Sequence, residues 1–151
     1  MSMMKNFDRD FVERTAELLS GDIKEKAIEY DVTLQLNCLL AMITLPLERK
    51  RDENDPVDQN FKKDCIDYLR SGADIIVGSK KDDNFLMMDI RDAIAHLNVQ
   101  VEPDPYGNIE YVILKNEYNG KNRFECRMTV KTLKGFAHHV SQQYLKYYFS
   151  I

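Results

Sequence analysis

An arginine, an aspartate and a histidine, Arg91, Asp92 and His96, stand close together in the stretch MMDIRDAIAHLNVQ. On a helix that is otherwise apolar, burying any of them would be expensive, so each needs a partner or a task. An imidazole moves protons near neutral pH, and a guanidinium holds an anion through a planar fork of donors. At about 100° per residue, Leu86, Ile90, Ala93, Ile94 and Leu97 form a core stripe, and Met87, Met88, Arg91, Asp92, Ala95 and His96 fall on the opposite side. Asp92 and His96 are four apart on one ridge, where a carboxylate can fix the orientation of an imidazole. Arg91 and His96 diverge by about 140°, too far for one helix to aim both at a point. A two-fold dimer removes that obstacle. If the helix crosses its symmetry mate along the methionine-alanine face from Met87 to His96, with Ala95 permitting close approach, Arg91 and His96 of each protomer border a shared cleft. A plain structural reading stands beside this one. An Arg and a His near a helix C-terminus complement its macrodipole, and Asp89 or Asp92 can pair with Arg91 at the surface.

The elements that must position these residues follow from period and punctuation. NFDRDFVERTAELLSGD reads as a first amphipathic helix stopped at Gly21. IKEKAIEYDVTLQLNCLLAMITLP reads as a second, almost wholly apolar from Val32 to Leu45 and ended by Pro46, which belongs at the centre of the fold. LERKRDENDPVDQN is a polar loop, and FKKDCIDYLRSG is a short helix turning Phe61, Cys65, Ile66 and Leu69 inward. SGADIIVGSKKDDN is a connection with a brief buried touch at Ile75 to Val77. Asn84 is the expected N-cap of the helix that runs to about His96. From Val99 the period changes to alternation, with turn chemistry at Pro103 to Asn108 and at Asn119-Gly120, so a hairpin or a short three-stranded meander follows. The chain closes with helical spacing through Leu133, Phe136, Ala137, Val140, Tyr144, Leu145 and Tyr148. The expectation is a single all-α domain over 1–151, a helical bundle with a small β-hairpin insertion before its C-terminal helix.

Composition narrows the function classes. With 44% apolar and 30% charged residues, 151 residues suffice for one core without disulfides or a structural metal. Cys38, Cys65 and Cys126 are odd in number and contain no C-x-x-C pair, which favours buried thiols in a reducing compartment. MSMMKNFDRDF lacks the apolar core of a signal peptide, and no run is long enough to span a bilayer, so a cytoplasmic location and no membrane contact are expected. RDENDPVD lacks the glycine and terminal glutamate of a calcium loop, and the adjacent His138 and His139 point about 100° apart, so no metal site is expected. The net charge of −4 argues against bulk electrostatic capture of nucleic acid. From Lys115 onward, however, seven Lys/Arg face two acids, either a solvated face or a phosphate-tracking one.

The segment RDAIAH resembles the signature of HEPN domains (higher eukaryotes and prokaryotes nucleotide-binding): an Arg, four to six residues, and a His, often with a polar residue directly after the Arg. FVERT at Phe11 to Thr15 and YDVTLQLNCLLAMITLPLE at Tyr30 to Glu48 resemble the first and second helices of a compact bacterial subgroup, in matching order and spacing. The hairpin after Asn98 is consistent with that subgroup, whereas Asp92 stands where an Asn is frequent. The resemblance implies an all-α, HEPN-like bundle that dimerises through the signature helices. In many members that dimer is a metal-independent endoribonuclease of toxin or defence type, needing no cofactor. By that resemblance Arg91 and His96 inherit the catalytic assignment, RNA is the substrate, and an antitoxin is a further partner. Asp92 would support His96 or repel a phosphate. Asn98 would donate to a phosphate or, more simply, cap the helix. The alternative is a non-catalytic HEPN-like module that binds nucleotide, nucleic acid or a protein.

Overall fold

A computed structural model describes residues 36–43, 55–96 and 98–149. The expected first helix, most of the second and the first part of the polar loop lie outside the described residues. Residues 36–43 are helical (α1), and Leu39, Met42 and Ile43 are fully buried, as the apolar character of the second segment requires. Helix α2, Pro56–Gly72, begins earlier than its apolar spacing suggests. Asp55 accepts a hydrogen bond from the Val57 amide at 2.9 Å, and Pro56 occupies the first helical position, where its missing N–H costs nothing. Phe61, Cys65, Ile66 and Leu69 face inward with no exposed surface, each large apolar side chain contributing about 1.5–3 kcal/mol on burial.

A short strand follows, β1, Asp74–Val77, then α3, Asp83–Ala95. The alternating segment forms β2, Val99–Pro103, β3, Ile109–Tyr118, and β4, Lys121–Thr129, before α4, Val130–Phe149. Thr129 caps α4, its hydroxyl accepting from the Thr132 amide at 3.1 Å. Both expected turns are present. Asn119 and Gly120 both take positive φ, the signature of a two-residue type I′ hairpin, and Asp104 accepts from the Tyr106 and Asn108 amides across the other turn.

These strands correct the expected fold class. The meander is joined by β1, which pairs antiparallel with β4, giving a four-stranded sheet in the order β1-β4-β3-β2. The fold is α+β, and the sheet is a layer of the core rather than an insertion in a helical bundle. One sheet face supplies Val112 and Leu114 from β3 and Phe124, Cys126 and Met128 from β4, all buried, with Ile75 of β1 packed against them. Helices α3 and α4 pack on the sheet, and α2 packs on α3 and α4. The other face carries charge: Arg127 makes a bidentate pair with Glu102 at 3.1 and 3.2 Å and lies 3.6 Å over the Tyr111 ring, and Lys115 is 3.4 Å from Glu125. Part of the basic excess of the C-terminal segment is therefore spent on a solvated face.

Candidate functional site

Helix α3 carries the site, and both of its ends are fixed. Asp82, not Asn84, is the N-cap, its side chain accepting from the Phe85 amide at 2.9 Å; Asn84 instead accepts from the ammonium of the buried Lys62 at 2.7 Å. At the other end the His96 amide donates to Asp92 O at 2.9 Å, and the Asn98 amide donates to Ala93 O at 2.8 Å, which satisfies two of the terminal carbonyls of the helix. Asn98 O then accepts from the Lys115 amide at 3.0 Å and ties the helix end to β3. Asn98 thus caps the helix through its main chain, which leaves its side chain for other contacts.

Between α3 and the β3–β4 hairpin runs a groove of about 940 Å³. Phe85, Met88, Asp92 and His96 line its helical wall, and Asn98 stands at its end. Asn116, Tyr118 and Arg123 line the hairpin wall. Its floor is fixed by Asp89, nearly buried, which accepts from Lys81 Nζ at 2.9 Å and from Asn116 Nδ2 at 2.8 Å. Both partners are charged or polar, so the carboxylate is satisfied where an unpaired one would be costly. Spacing alone puts Asp89 at the surface and gives Asn116 no role. The available signal was Asn116 itself, a polar residue continuing the inward-facing positions of Val112 and Leu114.

The groove collects Asp92, His96 and Asn98 and leaves Arg91 outside it. Arg91 projects from the next flank of α3, about 100° around the helix from Asp92. Its Nη1 is 3.3 Å from Asp92 Oδ1, with both side chains about one-third exposed. Asp92 therefore holds the guanidinium rather than the imidazole. His96 is exposed, and among the described residues its ring has no hydrogen-bond partner.

The proposed partner face also needs one correction. Met87 is fully buried beside Ile94, because α3 sits in a corner between α2 and the sheet and buries a wider arc than a single stripe. What remains exposed of that face besides its polar residues is Met88, 39% exposed, and Ala95, whereas Phe85, 58% exposed, belongs to the groove wall.

The remaining candidate groups are structural. All three cysteines are buried as free thiols; burial pushes Cys126 up to about 12 and raises Cys38 and Cys65 as well, so their thiols stay protonated and unreactive at neutral pH. Among the described residues no three His, Cys, Asp or Glu side chains are arranged to hold a metal ion, and no helix is long and apolar enough to cross a membrane. A family model described as HEPN pEK499 p136 matches residues 1–150. No curated protein and no solved structure matches the chain.

Proposed function

The chain belongs to the HEPN family whose model spans it, and from that premise we propose that it is a metal-independent endoribonuclease of toxin or defence type, its active site shared across a homodimer. The observation that carries this reading is His96: an exposed imidazole on a rigid helix end, facing a groove, with Arg91 one flank away on the same helix. The exposed Met88 and Ala95, about two turns apart on one side of α3, give the helix a small apolar seam at the rim of the groove. Two-fold pairing along that seam sets the Arg91 of one protomer beside the groove of the other, which supplies what one helix cannot.

In such a site RNA provides its own nucleophile. His96 takes the proton of a 2′-hydroxyl, the O2′–P bond forms, the P–O5′ bond breaks, and the departing 5′-oxygen takes a proton from water. The products are a 2′,3′-cyclic phosphate and a 5′-hydroxyl. Arg91 binds the non-bridging oxygens and stabilises the charge that builds at phosphorus. To do so it must exchange Asp92 for phosphate, a modest cost for a surface ion pair.

The second reading, a binding module without cleavage, is favoured by one observation. Asp89, Asp92 and Glu117 bring three carboxylates to the groove, and Asp92 already occupies Arg91. The two readings separate on incubation of the purified protein with transfer and total RNA in EDTA, beside an Arg91→Ala/His96→Ala double variant of equal fold and oligomeric state. Cleavage by the parent alone, leaving cyclic-phosphate ends, is the expected result. Intact RNA across a broad panel would replace the enzyme reading with the binding one.

A further inference from the structure

The groove holds a cation that the signature does not include. Arg123, near the start of β4, lines the same groove as His96, whereas Arg91 does not. The other basic residue there, Lys81, is engaged by the buried Asp89. Among the described residues no carboxylate pairs with Arg123, and its guanidinium lies 4.9 Å from the centre of the Tyr118 ring. Tyr118 is 60% exposed on the hairpin wall, and Phe85 is 58% exposed on the helical wall. Single exposed aromatics are ordinary on a surface, but these two flank one groove that also contains an imidazole and a guanidinium.

We propose that the β3–β4 hairpin forms a substrate subsite in which Arg123 binds a phosphate of single-stranded RNA and Tyr118, with Phe85 opposite, stacks an adjoining base. The inference rests on the ribonuclease reading and gives it a specificity-determining element. Aromatic faces accept any base, but only one that is free to leave a helix, so the subsite selects unpaired strands over A-form duplex. A cavity of about 940 Å³ has room for a nucleotide. The hairpin is a firm platform. Its tip is the tight Asn119-Gly120 turn, and a bulge between Asn116 and Glu117 lets Asn116 reach Asp89 inward before the strand turns Tyr118 to the groove. Arg123 also provides phosphate charge on the His96 side of the molecule, so Arg91 of the other protomer need neutralise only the scissile group.

The test is fluorescence anisotropy of a labelled single-stranded RNA of mixed sequence, with the same strand annealed as duplex, in a His96→Ala background that leaves the RNA intact. Arg123→Gln is expected to weaken single-strand binding about tenfold and to lower the salt slope by about one. Tyr118→Ala is expected to weaken it about tenfold with the salt slope unchanged. Arg123→Lys should keep the slope, and Lys131→Gln, outside the groove, should bind as the parent does. All these side chains are exposed or at a groove wall, and matched melting curves show that the fold is intact. If the parent cleaves RNA through Arg91 and His96 while Arg123→Gln and Tyr118→Ala bind with unaltered affinity and slope, the hairpin assignment fails and the ribonuclease reading stands. If the parent neither binds nor cleaves RNA, both fail.

Discussion

His139 and His96 lie on different helices, and only His139 is packed. Its Nε2 is 3.1 Å from Asp64 O, and its ring stacks on Tyr68 at 4.7 Å and 21°. Around it the α2–α4 seam is closed by the Tyr147 hydroxyl donating to Asp64, the Tyr148 hydroxyl donating to Asp58, and the edge of Phe61 against Tyr144, Tyr147 and Tyr148. His96 has a fixed main chain and an exposed ring. A histidine whose ring contacts are spent on neighbouring helices serves the fold, and one held by its backbone alone keeps its ring for a substrate. Substitutions on the two sides should therefore separate activity from stability.

The largest effect belongs to the groove side. His96→Ala should lower RNA cleavage by about 10²–10⁴-fold, with a denaturation midpoint close to that of the parent; a comparable loss of stability would instead make His96 structural.

On the seam side, Gly135→Ala should act the opposite way. A Cβ there would come within 2.0 Å of the Tyr68 hydroxyl oxygen, and Tyr68 cannot yield without leaving His139. We expect a loss of about 3 kcal/mol in urea unfolding, with turnover per folded molecule unchanged. Asp89→Ala lies between the two classes, since it deprives Lys81 and Asn116 of their acceptor beneath the groove. A loss of about 1–2 kcal/mol is expected, with weakened RNA binding because the hairpin wall loses its anchor to α3.

The smallest effect is confined to alkaline pH. Its hydrogen bond to Asp64, together with burial, pushes the Tyr147 phenol up to about 12, above the value near 10 of an unfolded tyrosine. The folded state thus holds the proton more tightly. Its stabilising contribution is complete below pH 10 and is lost as pH rises towards 12. Tyr147→Phe should flatten that alkaline limb in a stability-versus-pH series; an unchanged limb would show that the bond to Asp64 contributes nothing to it.

Much of the architecture was legible because it is local. The inward residues of α2 and α4, the Asn119-Gly120 turn and the end of α3 near His96 all follow from spacing within a few turns of chain. The sheet was underestimated because its fourth strand, DIIV, is too short to show a period, and its pairing with β4 joins segments far apart in sequence. Met87 was misplaced for a related reason. A helical wheel locates the centre of an apolar stripe, but its width depends on how many neighbours the helix meets.

The site divides in the same way. Asp92, His96 and Asn98 are near one another in sequence and share the groove, whereas Asn116, Tyr118 and Arg123 reach it only through the fold. The expected N-cap of α3, Asn84, is displaced by Asp82 two residues earlier, and the Asn84 side chain accepts instead from Lys62, a partner that only the fold brings near.

The claim that Arg91 and His96 act together across two protomers is tested most directly by complementation. Arg91→Ala and His96→Ala chains, each inactive alone, are unfolded together, refolded as a mixture and assayed for RNA cleavage in EDTA. Half of randomly formed dimers contain one chain of each kind, and each of these has one intact composite site, so the mixture should recover about a quarter of the parent's turnover. A mixture as inactive as its components, with mixed dimers verified, would contradict the shared site.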